Sequence, residues 1–317
     1  VTLLDRKVEL VIQREGESFQ VRNLMMDFRV QKFSNALVDN RATIRVFNLR
    51  DSVRSFLNRR RLDLKEKPYT SVFLSAGYEG AVAMIFRGVV INGANARVGP
   101  DWVTEFESFT AKAQVDSAVC DPEAHTWIET PPKTIIDTLF EALGTNAARY
   151  SSEATEVLSG ATPMTIACTG RLDQAIEKIL SRHELVFTIE DDGPFVVVVN
   201  GASNPNEPSS SVPVVSAETG LVGTPKITHS GVEIRSLLNP NLKIFQRFKL
   251  TSLTTDGSLE LADREFTITN LEHFGSNRGE EFFTEAVGQF YPRVPFEATP
   301  VEPTAAFTSD PVVVGGA

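Results

Sequence analysis

Ala42-Thr43-Ile44-Arg45-Val46-Phe47-Asn48 is the stretch on which the fold reading turns. Arg45 lies between Ile44 and Val46, and this alternation gives a strand one packed face and one solvated face. Toward the N-terminus the same period runs through Val8-Glu9-Leu10-Val11-Ile12. It resumes at Phe19-Gln20-Val21, after the polar turn Arg14-Glu15-Gly16-Glu17. Met26 to Phe33 alternates again, with Arg29 between Phe28 and Val30. Beyond residue 48, Asp51-Ser52 caps a short helix whose Val53, Phe56 and Leu57 share one side, and Arg59-Arg60-Arg61 ends it. Strands return near Thr70–Gly77, Ala81–Ile91 and Trp102–Val115, with turns at Tyr78-Glu79-Gly80 and Gly99-Pro100-Asp101. Strands broken by one short helix predict a twisted sheet or barrel rather than a helical bundle.

The middle of the chain changes period. Pro131-Pro132 opens a helix over about Lys133–Leu143, with Ile135, Ile136, Leu139, Phe140 and Leu143 on its apolar side and Gly144 closing it. A second helix spans about Arg171–Ser181, and Leu185–Ile189, Asp191-Asp192-Gly193 and Phe195–Val199 read as a hairpin. Residues 201–216 are small and polar and read as a linker. Strands resume near Gly223–His229, Val232–Leu238, Arg247–Leu253 and Leu259–Leu271, with Asp256-Gly257 as a hairpin signal. After Phe290 the chain turns Pro/Glu/Thr-rich and reads as a flexible or partner-ordered tail.

Composition narrows the function classes. Phe is frequent, 21 residues against 4 Tyr and 2 Trp, and its place among Val and Ile suits core or subunit contacts. No apolar run reaches membrane-spanning length, so no stable membrane insertion is expected. The opening Val1-Thr2-Leu3-Leu4-Asp5-Arg6 lacks the order of a secretory signal, and a cytosolic site of synthesis fits. Cys120 and Cys168 make no disulfide framework, leaving at most a single bridge. Residues 1–67 hold 15 Lys+Arg and 9 Asp+Glu, net +6, so the remainder of this −10 chain carries −16. That asymmetry argues against a general DNA-binding surface on the larger part and suits complementary subunit contacts or two solvated surfaces.

Chemistry-bearing patterns are few. The four histidines, His125, His183, His229 and His273, share no metal-binding spacing, and His125 near Cys120, Asp121 and Glu123 reads as a polar loop. Val157-Leu158-Ser159-Gly160-Ala161 has Val and Ala where a nucleophile elbow has glycines, and reads as an ordinary turn. The carboxylate pairs Asp191-Asp192 and Glu280-Glu281 read as a turn and as an exposed strand lead-in. No catalytic residue, cofactor or metal is assigned. Arg59, Arg60 and Arg61 are candidate assembly contacts. Phe282 and Phe283 are too, with core burial as the competing reading.

Gly231-Val232-Glu233-Ile234-Arg235-Ser236-Leu237-Leu238-Asn239-Pro240-Asn241-Leu242, with Phe248-Lys249-Leu250-Thr251-Ser252 and Phe266-Thr267-Ile268-Thr269-Asn270-Leu271-Glu272-His273, resembles baseplate hub proteins of tailed bacteriophages. Ala42–Leu49 and Ile85-Phe86-Arg87-Gly88-Val89-Val90 are similar to the family's first β-domain. Many relatives place Gly after the residues following the Asn239-Pro240 motif, where this chain has Ile244-Phe245-Gln246.

The resemblance implies a β-rich α+β fold: two related hub β-barrel-like domains with an intervening small α/β region. The expected division is a first hub β-domain at 1–120, a central α/β region at 121–200, and a linker and lead-in at 201–222. A second hub β-domain follows at 223–290, then the tail at 291–317. It implies a non-enzymatic virion subunit of the tail baseplate, assembled in the host cytoplasm. That subunit would be a homotrimeric ring adapting a sixfold tail tube to a threefold central spike, in contact with a tail-tube or distal tail protein, the spike and tape-measure protein. The competing classes are a tail-associated cell-wall hydrolase and a monomeric β-rich receptor- or carbohydrate-binding module.

Overall fold

The computed structural model describes residues 5–35, 39–58, 69–110, 118–121, 123, 125–199, 212–251 and 264–291. The alternation at residues 42–48 forms strand β4 (Arg41–Phe47), with Ala42, Ile44 and Val46 fully buried and Arg45 outside. Around it lie β1 (Arg6–Arg14), β2 (Glu17–Val21), β3 (Met26–Phe33), α1 (Asp51–Leu57), β5 (Ser71–Tyr78), β6 (Ala81–Val98) and β7 (Asp101–Phe109). Strand β6 runs further than the alternation alone indicates, because β7 pairs with it as far as Val98↔Asp101.

The middle comprises β8 (Val119–Cys120), β9 (Thr126–Thr130), α2 (Pro132–Ala142), β10 (Arg149–Tyr150), α3 (Ser152–Gly160) and β11 (Met164–Ala167). It continues with β12 (Gly170–Arg171), α4 (Leu172–Ser181), β13 (Leu185–Glu190) and β14 (Gly193–Val198). Helix α2 starts on Pro132, whose missing N–H is harmless in a first turn, and ends before Gly144 at φ +73°. Helix α3 replaces the turn expected at Val157–Ala161. The Ser151 side chain accepts from the Ala154 N–H and supplies the start, while Glu153 favours the first turn.

The last run is β15 (Val214–Ser216), β16 (Lys226–Thr228), β17 (Gly231–Leu237), β18 (Arg247–Thr251), β19 (Glu265–Ser276) and β20 (Phe282–Tyr291). Strand β15 lies inside the stretch read as linker and pairs in parallel with β18. The Asp256-Gly257 signal, most of 201–216 and the tail from residue 292 lie outside the described residues.

One sheet of thirteen strands contains β-strands from both ends of the chain. Its path is β2-β1-β5-β6-β7-β4-β3-β19-β20-β17-β16, with β18 on β19 and β15 on β18. The expectation of two barrel-like domains is corrected here. The path ends at β2 and β16, and among the described residues no pairing joins them. The first run does not close on itself because β19 occupies the outer edge of β3, from Asn270↔Phe33 to Ser276↔Asp27. A strand edge satisfied by another strand has no need of closure. The fold is a mixed, β-rich α+β architecture in which one open sheet runs through both β regions.

One edge of strand β19 serves two neighbours, while β20 runs along the other. Its first residues pair with β18 and its later ones with β3. A bulge between Ile268 and Asn270 inserts one residue, so Phe266 and Ile268 before it and Leu271 and His273 after it are all buried. At the head of β17, Gly231 is required by close approach, since a Cβ there would meet the Gly288 carbonyl oxygen at 1.8 Å. The Ile244-Phe245-Gln246 departure is also explained. Phe245 itself takes the left-handed conformation, φ +61°, that glycine adopts most readily. That conformation costs roughly 1–2 kcal/mol for an L-residue. Burial of the ring against Phe195, at 6.0 Å between centroids, offsets it by roughly 2–3 kcal/mol.

Three cores form under this framework. The first gathers β1 and β3–β6 with Leu238 and Phe282 from the C-terminal run. The second lies among α2, α3, α4 and the β13–β14 hairpin. The third packs β17–β20 against Phe195 and Val197. Strand β14 divides its residues between two of them, Val196 in the second and its neighbours in the third. The hairpin is thus a shared wall, and the middle α/β unit is seated on the C-terminal β region.

Candidate assembly surface

The residues that point away from the cores on β7, β4, β3, β19, β20, β17 and β16 form one charged face, because pleating sends every second side chain outward. Cross-strand ion pairs run along it. Arg45 meets Glu105 at 2.6 Å, Arg29 meets Glu272, Arg235 reaches Glu285 at 3.7 Å and Glu281 at 3.9 Å, and Lys226 meets Glu233 at 3.0 Å. The side chains of Arg29 and Arg45 remain 61% and 54% exposed, so each pair contributes at most about 1 kcal/mol to folding. Their charges remain available to a partner surface.

Aromatic rings interrupt the charges. The Arg235 guanidinium stands 4.1 Å from the Phe283 ring centroid and 5.4 Å from that of Phe274, and the Arg29 guanidinium stands 5.7 Å from that of Phe274. Two grooves open on this face. One, of about 880 Å³, is bordered by Arg29, Arg45, Arg235, Phe274 and Glu281; the other, of about 480 Å³, by Gln31, Lys226, Glu233 and Val287.

Phe282 and Phe283, adjacent in sequence, point to opposite sides. Phe282 is fully buried in the first core, edge-on to Phe28 at 5.8 Å and Tyr78 at 5.4 Å. Phe283 lies half-buried on the charged face beneath Arg235. Arg59, Arg60 and Arg61 lie outside the described residues.

The turn between β19 and β20 is clamped by the N-terminal run. The Arg6 guanidinium donates to the carbonyls of Gly279 at 2.5 Å, Glu280 at 3.0 Å and Ser276 at 3.3 Å. Asn277 accepts from the Met26 N–H and donates to the Leu24 carbonyl. Glu280-Glu281 thus belongs to a clamped turn leading into β20.

A buried polar knot joins the middle unit to β3. Lys32 Nζ lies 2.5 Å from Asp191 and 3.3 Å from Glu190, with all three side chains at most 10% exposed. Asp191 also accepts from the Arg87 N–H, Asn40 donates to the Ile189 carbonyl, and Thr188 donates to the Phe33 carbonyl. Burial alone would lower the Lys32 ammonium, but the Asp191 and Glu190 carboxylates turn its pKa upward. Burial raises the Glu190 carboxyl despite Lys32. Glu190 Oε1 has no hydrogen-bond partner among the described residues. His273, inward on β19 near Lys32, bonds Thr284 Oγ1 at 2.8 Å, and burial followed by the Lys32 charge pushes it down to about 3.

Two further chemistry-bearing candidates have structural roles. His125 Nδ1 accepts from the Asp121 N–H at 2.9 Å and its ring stacks on Trp127. Asp191-Asp192 makes the β13–β14 turn. Among the described residues no three His, Cys, Asp or Glu are grouped to hold a metal, and no helix is long and apolar enough to cross a membrane.

A family model described as baseplate hub gp41 matches residues 7–288. The chain belongs to this family of tailed-bacteriophage hubs. This hub has the fold of several solved proteins at identities that speak to fold alone. The 43 kDa tail protein of prophage MuSo2 from Shewanella oneidensis is 7% identical, with a TM-score of 0.60 over 90% of this chain and 98% of that one. A tail protein from Neisseria meningitidis MC58 is 8% identical, with a TM-score of 0.59 over 89% and 96%. An E. coli component of the type VI secretion system, described as structurally similar to the T4 bacteriophage tail proteins gp27 and gp5, is 9% identical. Its TM-score is 0.55 over 88% and 76%. No curated protein sequence matches. Family membership makes the hub a structural component of the virion tail baseplate, in contact with other tail components, and its role there is architectural rather than catalytic.

Proposed function

We propose that the hub closes as a homotrimer around the tail axis and adapts a sixfold tail tube to a threefold central spike. The observation that carries the reading is the β3–β19 pairing, which fixes the β region of residues 6–109 beside that of residues 214–291 in one sheet. Each subunit then offers two β regions in constant relation, and three subunits offer six. The edges at β2 and β16, unpaired among the described residues, and the charged face between them supply surface for neighbours.

Along the chain, residues 1–120 and 223–290 form the two hub β-domains, 121–200 the central α/β region, 201–222 the linker and lead-in, and 291–317 a flexible or partner-ordered tail. Arg59, Arg60, Arg61 and Phe283 meet neighbouring proteins, and Phe282 holds Phe283 in place from the core side. The partners are a tail-tube or distal tail protein, the central spike and tape-measure protein. The channel passes DNA without reading its sequence, and assembly takes place in the host cytoplasm.

Native mass measurement and electron-microscope imaging of the purified chain, alone and with its spike protein, test this. A closed trimer with an axial opening is expected. A monomer that persists at high concentration with the spike present overturns the trimer.

A further inference from the structure

The middle unit holds two thiols in one place. Cys120 ends β8 and faces Gly170 of β12. Cys168 stands two residues before Gly170. Both cysteines are free and buried, at 8% and 4% exposure, and both belong to the second core. The two thiols are neighbours in that core, and each feels the other electrostatically. The flanking backbone is fastened on both sides. The Cys168 N–H donates to the His125 carbonyl at 2.9 Å, and the Leu172 N–H to the Ala118 carbonyl at 3.3 Å. Neither sulfur belongs to the charged face or to the knot at Lys32.

We propose that Cys120 and Cys168 are a modification site, forming an intramolecular disulfide when the hub meets a small-molecule disulfide oxidant. One cysteine thiolate attacks the oxidant's S–S bond, giving a mixed disulfide and releasing one small thiol. The second cysteine, as thiolate, attacks the protein sulfur of that mixed disulfide and releases the other small thiol. Two electrons and two protons pass from the protein dithiol to the oxidant, so one disulfide replaces another.

The bridge closes a loop from residue 120 to residue 168 that contains β9, α2, β10, α3 and β11, and it narrows the unfolded states open to the middle unit. Burial, then the neighbouring Cys168, pushes the Cys120 thiol up to about 11. The thiolate is scarce at neutral pH, so the dithiol persists through synthesis in a reducing compartment and bridges slowly later. The bridge is a lock set after folding.

The test uses the full chain incubated with oxidised glutathione near pH ~8.5, where the thiolate fraction rises. A parallel sample is refolded from guanidinium in a glutathione redox buffer, so that burial cannot block the reaction. Both are alkylated under denaturing conditions and weighed. The expected result is a monomer lacking two hydrogens, with no alkylated thiol, a Cys120–Cys168 cross-linked peptide, and a melting step raised by about 5 °C over the reduced form. Cys120→Ser and Cys168→Ser should show no such rise. Two alkylated thiols, two glutathione adducts, or bridges only between chains in the refolded sample overturn the proposal.

Discussion

The two junctions that unite this chain are built from different materials. At the β3–β19 seam, main-chain pairing runs from Asn270↔Phe33 to Ser276↔Asp27, and apolar side chains of both strands fill the cores beneath. At the junction of β3 with the middle unit, three buried charges and a few side-chain-to-backbone hydrogen bonds make the contact. The seam gains from every paired residue, so no single one carries it. The knot depends on Lys32, because removing it leaves two buried carboxylates without a counterion. A repeated contact gives strength, whereas a buried ion cluster fixes position.

Lys32→Met should be the most damaging change. It strands Asp191 and Glu190 and should remove about 3–5 kcal/mol in denaturant unfolding. Adding Glu190→Leu and Asp191→Asn should restore most of that. A loss under about 1 kcal/mol would abolish the distinction between the junctions. At the seam, Leu271→Ala should cost about 2–4 kcal/mol, a cavity effect without any charge component.

Acid sharpens the same contrast. The folded state holds His273 at about 3 against an ordinary 6.5, so the unfolded chain binds the proton more readily. His273's contribution is complete above pH ~6.5 and is lost as pH falls toward ~3, by about 1.4 kcal/mol per unit. At pH ~5 the loss should be about 2 kcal/mol. Glu190 works in the opposite sense. Its raised carboxyl favours the folded state at low pH, and this contribution fades as pH rises through its folded-state value. The difference in unfolding free energy between wild type and His273→Gln, measured at pH ~7 and ~5, isolates the histidine. Equal changes in both proteins would remove His273 from the account. The smallest effect belongs to the outer face. Arg45→Ala should change stability by less than about 1 kcal/mol.

The sequence made the strands legible, and several helices, but not how they join. Alternation located β4, β3 and β17 because each has one wet face, and apolar periodicity located α2 and α4. Helix α3 is hard to read from Val157–Ala161, which lines up with a catalytic turn, although Ser151 and Glu153 carry a start signal. The seam has no local signature, since nothing in Met26–Phe33 specifies a partner in Glu265–Ser276. The knot left one clue. Met26, Phe28, Val30 and Lys32 continue a single inward series, which places a lysine on a packed face. Asp191 left none, because a turn aspartate ordinarily faces water.

The open sheet has a consequence for the timing of synthesis. Arg29 on β3 and Glu272 on β19 are 243 positions apart. At ~5–20 residues per second, a ribosome needs roughly 10–50 s to deliver the second after the first. Throughout that interval β3 offers an unpaired edge to any nascent chain nearby, including its own copies on the same message. Fast translation shortens the exposure and crowded polysomes worsen it. The soluble yield of this hub should therefore follow the speed and spacing of its ribosomes.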